Sequence, residues 1–205
     1  MIAIIDYGVG NLFSLKSSFA AIGADTVVTG DPSIIRSAEK LVLPGVGAFG
    51  DAAALLKQNS LDKLVKEEAL NGKPLLGICL GMQLLFDYSL EYGQHEGLGL
   101  IPGSVRPIGD YIPQGYKIPH IGWNALRFPA GKPVSPLFRH IREGDCVYFV
   151  HSFYGAECSE SVIASAEYGA DLTAAAAREN VFGVQFHPEK SGDVGLNILR
   201  AFCEL

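Results

Sequence analysis

The sequence predicts an α/β protein: an open, mostly parallel sheet with helices on both faces, and an added antiparallel portion in the second half. Three observations predict it. Short apolar, β-branched runs alternate with helix-spaced stretches through the first half, which calls for crossover connections and therefore parallel pairing. The second half changes to short strand-like runs punctuated by glycine and proline, the pattern of an antiparallel meander feeding back into the sheet. Finally, 48% of the 205 residues are apolar and only 19% are charged, a balance suited to burying a sheet on both faces.

The elements follow in order. IAIID (2–6) is a first strand, and LFSLKSSFAAIG (12–23) has helical spacing and closes on glycine. DTVVT (25–29), KLVLP (40–44) and KPLLGIC (73–79) are further strands. DAAALLKQNSLDKLVKEEAL (51–70) reads as one long helix with an acidic N-cap and Asn71-Gly72 as its stop. A helix-like run, MQLLFDY (82–88), follows the fourth strand. GLGLIPGSVRPI, PHIGWNALRF, DCVYFVHSFY (145–154), SVIASAEYG (161–169), LTAAAAREN (172–180) and VFGVQFHPE (181–189) supply the strands of the second half. VGLNILRAFCEL is a final helix. No repeat, low-complexity tract or linker interrupts the chain, so residues 1–205 are expected to form a single domain.

Composition excludes several classes of function. The formal net charge of −6 and the lack of a basic run argue against a nucleic-acid partner. No apolar stretch reaches the ~20 residues that span a bilayer. The N-terminus has no basic leader and reads as a strand, so a cytoplasmic protein is expected. The four cysteines, Cys79, Cys146, Cys158 and Cys203, form no CxxC pair. No metal site and no cofactor are expected, and all but Cys79 are assigned to packing.

Cys79 stands apart because Gly77-Ile78-Cys79-Leu80-Gly81 ends an apolar strand and opens a helix. That is the setting of a nucleophile elbow: the turn is sharp, glycines remove side chains that would crowd it, and the thiol projects beyond the carboxyl edge of the sheet. The Leu80 N–H is a natural donor to an oxyanion there. Taken alone, the pattern suits a buried core cysteine as well. A nucleophile needs a base, and among five histidines His187 is singled out by QFHPE: it ends an apolar strand, Pro188 favours extended geometry, and Glu189 is placed to orient the ring. Alone, His187 suits a surface turn equally; together with Cys79 it favours catalysis. The segment GVGAFG formally matches a dinucleotide fingerprint. It is set aside because the first strand–helix turn, YGVGNLF, lacks the third glycine and the acidic residues about 20 positions on lie within a helix.

The combination G-x-C-x-G with a late H-P-E resembles the class I, triad-type glutamine amidotransferases, and the resemblance spans essentially the whole chain. It implies an open α/β fold and a cysteine that attacks the side-chain amide of glutamine. Ammonia is released, and a γ-glutamyl thioester forms and is hydrolysed. It further implies an oxyanion loop at Val46 and Gly47, and a glutamine pocket lined by Gln83, Glu91, His151, Ser152 and Phe153. Gln83, one helical turn past Cys79, suits that place on spacing too. Family members commonly carry tyrosine where this chain has Phe153.

DYGVGNL (6–12), PGVGAFG (44–50), KIPHIGWN (117–124), YFVHSF (148–153) and HPEKS (187–191) narrow the resemblance to the glutaminase subunits of imidazole glycerol phosphate synthases, which serve histidine biosynthesis. This implies a heterodimer with a (β/α)8-barrel cyclase subunit that receives the ammonia, with Tyr148, Lys190 and Trp123 on the contact surface. Trp123 suits a core anchor equally well. The other readings are a glutaminase serving another synthase, a stand-alone cysteine hydrolase, and a non-enzymatic binding module.

Overall fold

The computed structural model describes all 205 residues. The first half runs β1 (Ile2–Ile5), α1 (Leu12–Ala21), β2 (Thr26–Thr29), α2 (Pro32–Ser37), β3 (Lys40–Leu43), α3 (Phe49–Gln58), α4 (Leu61–Leu70), β4 (Leu75–Ile78) and α5 (Leu80–Gln83). The second half runs β5 (Tyr88–Ser89), β6 (His95–Glu96), β7 (Ser104–Pro107), β8 (His120–Ala125), β9 (Cys146–His151), β10 (Phe153–Ala156), β11 (Val162–Glu167), β12 (Asp171–Arg178), β13 (Val181–Val184) and α6 (Gly192–Cys203).

The main sheet has seven strands in the order β11-β12-β13-β4-β3-β1-β2. Its middle is parallel, β13 with β4, β4 with β3, β3 with β1 and β1 with β2, and β12 and β11 add antiparallel strands at one edge. Side chains alternate across it as strand geometry requires. Leu41, Leu43 and Leu75 face a core closed by α2, α3 and α4, while Val42, Leu76 and Ile78 face one closed by α1 and α6. Both faces being covered explains why the central strands read as continuous apolar runs.

Four expectations are corrected. The long helix over 51–70 is two helices, because Asn59-Ser60 interrupts it with Ser60 in the left-handed region (φ 57°). Asp51 lies in the first turn of α3 and is not its cap. The helix after Cys79 is a single turn, followed by hydrogen-bonded turns through Phe86. The meander that rejoins the sheet is only β11–β13. The strands before it form two smaller sheets, β10-β7-β5-β6 and the β8–β9 ribbon, because 145–154 kinks at Ser152 and its two halves pair with different partners.

The topology positions the site. β3, β4 and β13 are parallel neighbours in register, with Leu43 opposite Gly77 and Val184 opposite Ile78. Their carboxyl ends therefore bring Pro44–Gly47, Cys79 and His187 to one place on the sheet edge, where open α/β sheets put their ligands.

Candidate active site

Cys79 sits on the turn between β4 and α5 with φ 56° and ψ −112°, a conformation that a residue with a side chain rarely adopts. The surroundings hold it there. Its N–H donates to Val184 O at 2.8 Å, and its carbonyl accepts from Gln83 N at 3.2 Å. The flanking glycines are required by close approach: a Cβ on Gly77 would stand 2.7 Å from Gly81 O, and one on Gly81 would run into the Leu43 carbonyl. Cys79 is 8% exposed and opens onto a cavity of about 340 Å³. Leu80 is the first residue of α5, so its N–H has no partner within the helix and is oriented with the turn.

His187, extended as Pro188 demands (φ −100°, ψ 98°), reaches the same cavity. Its Nδ1 meets Glu189 Oε1 at 2.8 Å, and both side chains are almost fully enclosed, 4% and 3% exposed. Burial alone would lower the pKa of His187, but the Cys79 thiol and the Glu189 carboxylate together outweigh it and raise the value to about 9. The backbone is fixed as well. His187 N donates to Tyr148 O at 2.9 Å, and Ser191 Oγ donates to His187 O at 2.6 Å while accepting from Tyr148 N. Sequence reasoning missed Ser191, although it stands in HPEKS.

The Pro44–Gly47 turn leans on the cysteine turn. A Cβ on Gly45 would lie 2.7 Å from Gly81 N and 3.0 Å from Tyr7 Oη, and Tyr7 Oη in turn donates to Pro44 O at 2.8 Å. Beyond this base the turn is open: Val46 is 43% exposed, and Gly47 has φ +93° with nothing within 4 Å of a Cβ position. Val46, Gly47 and Leu80 all line the cavity with Cys79. The third glycine of the rejected fingerprint, Gly50, instead faces the ring of His95.

Gln83, Glu91, His151, Ser152 and Phe153 line the same cavity, so the structure brings the whole predicted pocket together. Several of their groups are already engaged. Glu91 Oε2 accepts from Phe49 N at 2.6 Å, which caps α3 from 42 residues away, and burial raises the pKa of this carboxyl. Ser152 O accepts from Ile108 N, and Phe153 O accepts from Gln83 Nε2 and from His151 Nδ1. The Ser152 and Phe153 carbonyls are therefore already engaged by the protein. Phe153 instead offers its ring, edge-on to Tyr92 at 6.2 Å.

Burial holds His151 neutral, with a pKa lowered to about 3. Because its Nδ1 faces a carbonyl it must carry the proton there, so Nε2 accepts from His120 Nδ1 at 3.1 Å. His120 in turn stacks on Tyr168 and Phe149. Tyr92, His120 and Gln185 were not foreseen. Gln185 was in view in QFHPE, two residues before His187 and so on the same side of an extended strand.

Trp123 is no core anchor: it is 58% exposed and pairs across the ribbon with Tyr148, their rings 6.1 Å apart. Lys190 Nζ stands 6.0 Å from the Tyr148 ring, and Ile121 is exposed on the same side of β8. The three residues expected at a contact surface thus adjoin one another. Of the cysteines assigned to packing, Cys158 is buried and Cys203 half-buried, but Cys146, the first residue of β9, is exposed. No group of three or more His, Cys, Asp or Glu side chains is arranged to hold a metal, and no helix is long and apolar enough to cross a membrane.

Comparison with known proteins gives the family. The class-I glutamine amidotransferase family model matches residues 3–204. The imidazole glycerol phosphate synthase subunit HisH of Wolinella succinogenes is 48% identical over 207 aligned residues, covering all of both chains. The HisH subunit of Moorella thermoacetica is 50% identical over 205, covering all of this chain and 94% of its own. Among solved structures, a glutamine amidotransferase superposes with a TM-score of 0.76 at 18% identity, covering all of this chain and 98% of its own. PurLQS from Thermotoga maritima superposes with 0.74 at 19%, covering 99% of this chain and 97% of its own. These two likenesses concern the fold. The chain belongs to the class I glutamine amidotransferases and, within them, to the HisH glutaminase subunits of imidazole glycerol phosphate synthase, which serve histidine biosynthesis.

Proposed function

We propose that residues 1–205 act as one glutaminase domain in which Cys79 is the nucleophile, His187 the proton carrier and Glu189 the group that orients it. The observation that carries this reading is the convergence of a cysteine on a strained turn with a buried His–Glu pair at 2.8 Å, both opening on one cavity. Cys79 Sγ attacks the side-chain carbonyl carbon of glutamine. The proton shared by Cys79 and His187 rests on His187, whose protonated form is favoured by its neighbours, and as the C–S bond forms the C=O electrons move onto oxygen. The Leu80 N–H and a peptide N–H of the Val46–Gly47 turn face that oxyanion. His187 hands its proton to the departing nitrogen, the C–N bond breaks, and ammonia leaves a γ-glutamyl thioester. Water, deprotonated by His187, then releases glutamate.

Gln83, Glu91, His151, Ser152 and Phe153 hold the substrate in this reading. Glu91 keeps one carboxylate oxygen for the substrate ammonium while the other caps α3. The partner is a cyclase subunit with a (β/α)8 barrel, joined as a heterodimer through the face that carries Tyr148, Lys190 and Trp123. It uses the ammonia to make imidazole glycerol phosphate and an aminoimidazole carboxamide ribotide. Exposed ring area on the β8–β9 ribbon supports that face as the contact. A cytoplasmic location fits the four free thiols.

The test is Cys79→Ala in complex with the cyclase. Glutamine-dependent synthesis is expected to be lost, while synthesis from added ammonium salt persists. Loss of the ammonia-dependent reaction as well, with the complex intact, overturns the division of labour.

A further inference from the structure

We propose that Gln185 is a positioning residue of this site: its carboxamide donates to the Cys79 sulfur and accepts from Gln83, joining Phe153 O in holding the oxygen end of the Gln83 amide towards substrate. The inference rests on Cys79 being the nucleophile.

Its basis is a chain of polar contacts whose direction follows from a single atom. Phe153 O can only accept. It receives His151 Nδ1 at 2.9 Å and Gln83 Nε2 at 3.1 Å, so the nitrogen end of Gln83 points inward. That same nitrogen donates to Gln185 Oε1 at 3.0 Å. With its oxygen engaged, Gln185 has its nitrogen end to turn towards Cys79, and Nε2 stands 3.8 Å from Sγ. Two consequences follow. A donor faces the sulfur as it becomes charged, and Gln83 turns its oxygen, an acceptor, to the cavity it lines. Gln185 is wholly buried, so its carboxamide is tolerable there only because both ends are used.

Strand geometry supplies the placement. Gln185 follows β13 directly, its N–H donates to Ala174 O on β12, and it lies two residues before His187. The segment that presents the base thus also presents a donor to the nucleophile. Of the other titratable groups, His187, backed by Glu189, and Tyr7 after β1 act directly on Cys79, and Glu91, Tyr92 and His151 line the same cavity.

The experiment follows the rate of iodoacetamide alkylation of Cys79 against pH, located by peptide mapping, in the chain and in Gln185→Met and Gln185→Glu. Removal of a hydrogen bond to a charged acceptor moves the pH midpoint up by about one unit in Gln185→Met. Gln185→Glu, which places an acceptor beside the sulfur, moves it further. Gln185→Met also raises KM for glutamine, since Gln83 loses one of its two acceptors, whereas Gln185→Glu keeps that acceptor. A merely structural role lowers the melting temperature without moving the midpoint, and unchanged midpoints in both folded variants overturn the proposal. Should both variants fail to fold, the unmodified chain decides. The side-chain amide resonance of Gln185 is expected to shift when Cys79 is alkylated, and an unshifted resonance overturns the proposal. Failure of Cys79 to alkylate selectively in the unmodified chain overturns the nucleophile reading itself, and this inference with it.

Discussion

Two glycine-framed turns lie side by side at the carboxyl ends of β3 and β4, and they are built in opposite ways. Around Cys79 the glycines are there because no side chain fits: Gly77 packs on Gly81, and Gly81 packs on the backbone of the β3 end. At 45–47 only the base is packed. Gly45 meets Gly81 and Leu80, whereas Gly47 has a positive φ and open space around it, and Val46 faces outward. One turn fixes Cys79, the proposed nucleophile. The other is free to choose between peptide orientations, because its glycine removes most of the conformational cost of rotating a peptide plane. In the mechanism proposed above, a site assembled this way has its nucleophile always in place and its oxyanion donor adjustable.

Adding one methyl group to each turn separates the two. Gly81→Ala drives a Cβ into the Leu43 carbonyl, so it is expected to destabilise the fold by about 3 kcal/mol or more, read by chemical denaturation. Gly47→Ala meets no atom and is expected to cost only about 1 kcal/mol for its positive φ. Its effect falls on catalysis instead: a misdirected oxyanion donor lowers kcat by about 10²–10³ with little change in KM. Equal stability losses in the two variants would show that the turns do not differ as described.

The two histidines of the cavity differ in the same spirit, and pH tells them apart. His187 holds its proton up to about pH 9, above an unfolded value near 6.5. Its contribution to stability is thus fully present below about pH 6.5 and is lost as pH rises through about 9. His151 is the reverse. With a pKa lowered to about 3, it favours the fold above about pH 6.5 and loses that contribution as pH falls towards 3. Glu189→Gln removes one of the contacts that raise His187. The stability lost between pH 6 and pH 9.5, about 3 kcal/mol from this group, is expected to shrink in that variant. Parallel stability–pH curves for the two proteins would contradict the assignment. The smallest change is expected at the rim. Lys190→Ala removes an exposed cation beside the Tyr148 ring and should weaken the complex with the cyclase about five-fold, as titration calorimetry would report.

What the sequence made legible is local. Cys79, His187 and Glu189 each announce themselves within a few residues, because an elbow and an extended His-Pro-Glu are matters of backbone geometry that neighbouring residues dictate. The parallel core was legible for the same reason: buried strands read as apolar runs. What stayed hidden depends on distance along the chain. The cap of α3 is Glu91, 42 residues on, so no cap residue marks the true helix start. Ser60 divides 51–70 with a left-handed residue that is not glycine, against the usual signal. The His120–His151 pair exists only because β8 lies against β9 in one register. The kink at Ser152, which sends β9 and β10 to separate sheets, is equally a product of their partners.

The most direct measure of the contrast between a fixed proposed nucleophile and an adjustable oxyanion turn is the kcat for glutamine hydrolysis in three states: the chain alone, the chain with the cyclase, and that complex with the cyclase's substrate bound. One missing oxyanion donor corresponds to about 2.7–4 kcal/mol in the transition state. Hydrolysis by the chain alone is therefore expected to be weak. It should rise at least about 100-fold in the substrate-loaded complex, in kcat and not in KM. Full activity of the isolated chain, unchanged by a substrate-loaded partner, would contradict it.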